Sequence, residues 1–183
     1  LRMSNQGSLF HICRINYMTL EIERGFLVKG EEWKNIAGPA QYLRQGYLAT
    51  NPKGLTIRMR ILEQEKAWLT IKSPATGFAK HEFEYVIPLE DAEKLWSLTP
   101  NKLTKKRYEI NLSGGEWVVD CFEGENSPLV LAEVELSSVD DVIKKPAWCT
   151  EEITGANHWS NASLAQIPIS TWPIKKRLKQ NLA

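Results

Sequence analysis

The chain has 183 residues, 43% hydrophobic and 25% charged, which predicts one folded domain and excludes general disorder. Its net charge of +1, from 23 basic and 22 acidic residues, lacks the basic excess of a general nucleic-acid binder. No apolar run approaches a membrane span, and three widely spaced cysteines (Cys13, Cys121, Cys149) fit a reducing cytoplasm better than a disulfide framework or zinc knuckle.

Residues 1–17 read as an extension. The apolar run at 9–18 is interrupted by Arg14 and has no small-residue cleavage site after it, so it is not a secretory signal. The pattern predicts a domain over 18–167 and a basic tail over 168–183. A strand is predicted over 20–28, where Glu21 and Glu23 share one face and Ile22 and Val28 the other, because residues two apart in an extended chain point the same way. A short helix over 31–36 ends at the Gly38-Pro39 breaker. Strands over 42–49 and 55–62 pair around an Asn51-Pro52-Lys53-Gly54 turn, and strands over 67–73 and 80–87 flank a loop at 74–77. Pro88 opens a helix over 89–98 with Leu89, Ala92, Leu95 and Trp96 on one stripe. Strands over 104–112, 116–122 and 129–137 follow. A short helix is predicted over 140–144, an irregular or helical segment beyond Pro146, and a frayed, solvated stretch over 175–179.

About eight strands with short turns and few helices predict an antiparallel barrel or a strongly curved sheet, α+β and mainly β in class. One face of the strands carries Ile22, Phe26, Met59, Ile61, Leu69, Ile71, Tyr85, Ile110 and Val134. The other carries Glu21/Glu23, Arg58/Arg60, Lys66/Lys72, Glu82/Glu84, Lys105/Arg107, Asp120 and Glu133/Glu135. For any one strand, a solvated charged face explains the pattern. Across all of them it does not, because a wet face mixes its residue types whereas these positions form same-sign pairs, and opposed like charges destabilise a sheet. Acidic and basic strands facing one another across an enclosed lumen account for the placement. The apolar face then points outward and needs the helices at 31–37, 89–98 and 140–144 as cover, with Trp96 and Trp117 serving the outer wall.

Such a lumen, with seven carboxylates and six bases, is costly to desolvate unless each charge finds a partner. A phosphate chain with divalent cations supplies both signs. Arginine forks bind phosphoryl oxygens bidentately, lysines act as point charges, and clustered carboxylates favour Mg²⁺ or Mn²⁺. His11, His81 and His158 fall outside the constellation, and the chain has no GxxxxGK[ST] loop.

The order E-I-E-R-x-F-L-V (21–28), R-M-R (58–60), L-T-I-K (69–72), E-F-E (82–84), K-K-R-Y (105–108), V-D-C-F-E-G (119–124), L-A-E-V-E (131–135) and W-C-T-E-E-I-T (148–154) resembles the CYTH superfamily, the triphosphate tunnel metalloenzymes. The resemblance covers about 18–166. It implies an eight-stranded closed antiparallel barrel, a triphosphate bound along its tunnel, and Mg²⁺ or Mn²⁺ as cofactor. By motif position Arg58, Arg60, Lys72, Lys105 and Arg107 are phosphate contacts, with Lys66 added from the same face. Glu21, Glu23, Glu82, Glu84, Glu133 and Glu135 are metal ligands, with Asp120 and Glu152 as lesser candidates. Glu21, Glu23, Lys72 and Arg107 form the catalytic set. The implied activity is a metal-dependent triphosphatase acting on tripolyphosphate and, to a lesser extent, on nucleoside triphosphates such as ATP. Class IV-type adenylyl cyclase, thiamine triphosphatase and a non-catalytic polyphosphate or nucleotide binder are the alternatives. Neither nucleic acid nor a membrane is an expected partner, and the protein is read as a monomer or homodimer.

One departure stands out. The family signature is E-x-E-x-K, and Gly25 occupies the lysine position on the face of Glu21 and Glu23. A lost charge-assisted contact is worth about 1.5–3 kcal/mol. Lys29 shares the face but lies about 13 Å further along an ideal strand. Neutral drift, altered substrate choice and inactivation all stand as readings of this change. A smaller departure is Thr150, at a position where the tail motif has glycine.

Overall fold

The computed structural model describes residues 19–51, 54–75 and 79–179. The extension read over 1–17, the centre of the 51–54 turn, the 76–77 part of the predicted loop and the last four residues lie outside the described residues. The alternating segments form one antiparallel sheet. Its strands are β1 (Thr19–Glu21), β2 (Glu23–Val28), β3 (Gln41–Thr50), β4 (Thr56–Leu62), β5 (Lys66–Pro74), β6 (Lys80–Val86), β7 (Asn101–Ile110), β8 (Glu116–Phe122), β9 (Val130–Glu135) and β10 (Cys149–Glu152). Their order is β1-β6-β5-β4-β3-β7-β8-β9-β2-β10.

The expected mainly-β antiparallel architecture is therefore present, with two differences of detail. There are ten strands among the described residues instead of eight, and the hydrogen-bond ladder does not run as a closed ring. The reason is the segment 19–28, expected as one strand. It is divided at Ile22 into β1, which pairs with β6, and β2, which pairs with β9. Two strands joined by a single residue thus stand near opposite ends of the sheet order. The Leu136 N–H donates to the Ile22 carbonyl at 2.8 Å across this seam. The covalent chain curls the sheet round on itself.

The tenth strand comes from the segment expected to be irregular or helical. Cys149–Glu152 adds to the free edge of β2 with an irregular register, Cys149 opposite Val28 and Glu152 opposite Phe26. The helix predicted over 140–144 is absent. The Asp141 carboxylate accepts the Ser138 N–H at 2.9 Å, and the Asp141 N–H donates to the Ser138 carbonyl at 3.2 Å. Local side-chain bonding of this kind competes with helix formation.

Helix α1 (Leu89–Leu98) has the predicted bounds and packs over β3, β4 and β5, covering Met59, Ile61 and Ala67 on the outer face. A 3-10 turn over Glu32–Ile36 buries Trp33 beside Phe26, Val119, Ala132 and Val134. Trp117 joins the same cluster, and Arg44 and Lys102 lie over the Trp96 ring at 5.4 and 5.0 Å. These apolar groups pack outside the lumen, each fully buried large side chain contributing about 1.5–3 kcal/mol.

A further cluster fills one end of the lumen. Along several strands the inward face changes from charged to apolar: Glu21 and Glu23 give way to Leu27, Glu135 and Glu133 to Leu131, and Arg107 and Lys105 to Leu103. The C-terminal chain packs onto this apolar end through Ile153, Trp159, Leu164, Ile169 and Trp172. It contains α2 (Asn161–Gln166), capped by Ser160, whose hydroxyl accepts the Ser163 N–H at 3.2 Å, and α3 (Ile174–Lys179). The stretch expected to fray is thus helical. No helix among the described residues is long and apolar enough to cross a membrane.

Candidate active site

The curled sheet encloses a cavity of about 880 Å³. Its lining is set by strand parity. β1 and β2 supply Glu21, Glu23 and Gly25; β4 supplies Arg58 and Arg60; β5 supplies Lys72; β6 supplies Lys80, Glu82 and Glu84; β7 supplies Arg107; β8 and β9 supply Glu116, Glu133 and Glu135. One geometric rule has brought together residues from segments more than a hundred positions apart.

On the wall of β1, β4, β5 and β6 acids and bases are paired. Lys72 donates to both oxygens of Glu21 at 2.6 and 2.8 Å and lies 3.4 Å from Glu82. Arg60 donates to both Glu84 oxygens at 3.1 and 2.9 Å, and the Thr70 hydroxyl donates to the same carboxylate at 2.9 Å. Arg58 stands 3.6 Å from Glu82 and 3.9 Å from Glu84. Burial opposes ionisation of Glu21, but Lys72 prevails and holds its pKa down at about 2. Arg60 is lowered to about 10 by burial and by the Arg58 charge two residues away. The Nε atoms of Arg58 and Arg60 are buried with no hydrogen-bond partner. A buried unpaired donor is expensive, and the guanidinium forks of both residues line the cavity, a chemistry suited to anionic oxygens.

The wall of β2, β8 and β9 is different. Glu23 faces Glu135 in register and Gly25 faces Glu133, so carboxylates stand opposite carboxylates. Burial and the charges of Glu133 and Glu21 push the Glu23 pKa up to about 8. Burial and neighbouring carboxylates, Glu21 first among them, also raise Glu135, and burial raises Glu82. These are hard oxygen donors in mutual repulsion, which a divalent cation relieves. The carboxylates of Glu21, Glu84 and Glu133 are turned onto bases, and no three acidic, histidine or cysteine side chains among the described residues already stand as a ligand cluster.

Four sequence candidates lie off the cavity surface. Lys105 and Asp120 are fully buried and hydrogen-bonded to each other. Asp120 also accepts from Arg107 at 2.8 and 2.7 Å, and Arg107 reaches Glu133 at 2.8 Å. Burial alone disfavours the Asp120 charge, but Arg107 and Lys105 hold its carboxyl well below the usual range. Burial likewise works against the Arg107 charge, and Asp120 overcomes it, raising that pKa. Asp120 is therefore bound to the bases that position the lumen instead of being open to it. Lys66 is exposed at the start of β5, beyond the lining. Glu152, on β10, accepts from Arg24 at 2.8 and 2.7 Å, away from the lumen.

Sequence reasoning passed over Lys80 and Glu116, although both share the parity of the charged residues after them. It also had no means of finding the C-terminal lining, which includes Ile153, Asn157, Asn161, Ser163 and Gln166. Long-range contacts fix that segment: Gln166 is hydrogen-bonded to Thr50, and Lys105 donates to the Asn161 side chain at 3.1 Å.

Residues 19–164 match the CYTH domain. The chain belongs to the CYTH family. An inorganic triphosphatase of Acetivibrio thermocellus is 38% identical over 153 residues, 82% of this chain and 96% of that protein. Another, of Nitrosomonas europaea, is 36% identical over 149 residues, covering 79% and 96%. The crystal structure of an inorganic triphosphatase superposes with a TM-score of 0.57 at 35% identity, covering 81% of this chain and 96% of that one. Within this CYTH domain Gly25 marks the boundary between the charged and apolar parts of the lumen. A Cβ built there meets Ile153 Cγ1 at 3.3 Å, so the C-terminal chain closes over the space beside it. Thr150, the other departure, donates its hydroxyl to the Leu27 carbonyl at 3.1 Å and secures β10 to β2.

Proposed function

We propose that the protein is a divalent-metal-dependent triphosphatase that hydrolyses inorganic tripolyphosphate, with ATP as a lesser substrate, inside the charged lumen. The observation that carries this reading is a single cavity lined by Arg58, Arg60, Lys72 and Arg107 together with the carboxylates of Glu21, Glu23, Glu82, Glu84, Glu133 and Glu135. The names of the relatives at 36–38% identity support it.

Arg58, Arg60, Lys72 and Arg107 bind and orient the phosphate chain, and the wall with its bases excess sets the axis along which it lies. Asp120 holds Arg107 ionised and aimed, with Lys105 behind it. Glu21, Glu23, Glu82, Glu84, Glu133 and Glu135 are the residues that would hold the cation. Mg²⁺ or Mn²⁺, when bound, supplies Lewis-acid neutralisation of phosphoryl oxygens and a water of lowered pKa. Burial and the charges of Glu133 and Glu21 raise the Glu23 pKa, so this carboxyl favours its protonated form when the lumen carries no cation. Hydrolysis breaks one P–O–P bond, with water supplying the oxygen to one phosphoryl group and protons to the products.

Phosphate release from tripolyphosphate with Mg²⁺ or Mn²⁺ is the test; none above a blank from neutral to alkaline pH would end this reading. Nothing in the cavity favours the cyclase, thiamine triphosphatase or non-catalytic alternatives over it. Cys121 and Cys149 are unbridged, which fits the cytoplasm as the proposed location.

A further inference from the structure

Five cations line the cavity among the described residues, and four of them are held by carboxylates. The fifth is Lys80, which makes no ion pair with any described residue. It opens β6, on the same face as Glu82 and Glu84, and is the register partner of Glu21 in the β1–β6 ladder, next to the seam. The Glu21 carboxylate beside it is already claimed by Lys72. The Lys80 charge nevertheless acts on both Glu21 and Glu23, favouring their ionised forms, so its ammonium stands within electrostatic reach of the acid-rich wall. An unpaired ammonium among carboxylates is a point charge available to an incoming polyanion.

We propose that Lys80 is a substrate-binding residue, gripping a phosphoryl oxygen of the triphosphate at the seam end of the lumen. The assignment rests on the triphosphatase reading and deepens it. The cation that the signature places on β2 is missing at Gly25, where Ile153 crowds the position. The grip on the phosphate chain accordingly shifts to a base on the opposite side of the seam. Lys80 contacts the ligand in the ground state and stands apart from the paired bases, so its removal weakens binding more than turnover.

The test compares Lys80→Ala and Lys80→Arg with the wild type, using tripolyphosphate and Mg²⁺ for kinetics and tripolyphosphate alone, in chelator, for calorimetric binding. Lys80 is exposed, so the folded state survives its removal, and a thermal melt checks this. Lys80→Ala is expected to raise KM and Kd about tenfold with kcat within about threefold, and Lys80→Arg to restore both. Unchanged KM and Kd in Lys80→Ala overturn the assignment, as does a loss confined to kcat. If the wild type releases no phosphate, the triphosphatase reading falls, while the binding titration still decides Lys80.

Discussion

The two walls of the lumen obey the same alternation and reach opposite electrostatic balances. β1, β4, β5 and β6 present Glu21, Glu82 and Glu84 against Arg58, Arg60, Lys72 and Lys80. β2, β7, β8 and β9 present Glu23, Glu116, Glu133 and Glu135 against Arg107. The contrast is sharpest within one segment of chain: Glu21 and Glu23, two residues apart on the same face, have pKa values driven to about 2 and about 8. The seam at Ile22 leaves the first on the wall with surplus base, within reach of Lys72 on β5, and pairs the second with acid-rich β9. A wall with surplus base takes an anion and a wall with surplus acid takes a cation, so a metal–triphosphate pair bridges the two.

The largest expected effect falls on the point where the acid-rich wall retains its base. Asp120→Ala leaves Lys105 buried without its counter-charge and is expected to cost about 3–5 kcal/mol of unfolding free energy, read by chemical denaturation. A loss below about 1 kcal/mol would show that Lys105 finds another partner. Next, on the base-rich wall, Arg60→Ala is expected to lower kcat/KM for tripolyphosphate about a hundredfold, a size typical of losing one charge-stabilising donor. An equal loss in thermal stability would mean that Arg60 serves mainly to neutralise Glu84.

The third effect is one of pH. The folded-state pKa of Glu23, about 8, stands above its ordinary value of 4.5. The associated stability is complete below about pH 4.5 and is lost as pH rises through about 8. Chelator-treated protein should therefore melt at lower temperature as pH rises from 5 to 9, with Glu23→Gln flattening the slope and added Mg²⁺ opposing it. Glu21 runs the other way, its contribution present above about pH 4.5 and lost as pH falls toward 2. The smallest effect belongs to Gly25→Lys, expected to raise kcat/KM by less than about tenfold, because the gain of one charged contact is offset by displacing Ile153. Pairing it with Ile153→Ala should enlarge the gain; lower turnover in both variants would remove position 25 from the phosphate site.

Much of this was legible in the sequence because side-chain direction in a strand has a period of two, a local property. The strand at 116–122 and the common face of Glu21, Arg58, Lys72, Glu82, Arg107 and Glu133 follow from it, and the bounds of α1 follow from Pro88 and an apolar stripe at helical spacing, local signals as well. Parity also held the signal for Lys80 and Glu116, which the search for like-signed pairs passed over. Alternation could not tell which charged positions are open to the cavity. Lys105 and Arg107 share a parity, yet one is sealed against Asp120 and the other borders the lumen. Lys66 and Lys72 share one too, and the former lies past the lumen's end.

Those distinctions, with β10, the split at Ile22 and the C-terminal chain over Gly25, come from contacts between residues far apart in the chain. Local pattern determined which face each side chain takes, because backbone geometry fixes it within two residues. Tertiary structure decided how deep each one lies and which charge it meets, because burial and Coulomb energy depend on neighbours that only the curled sheet brings together.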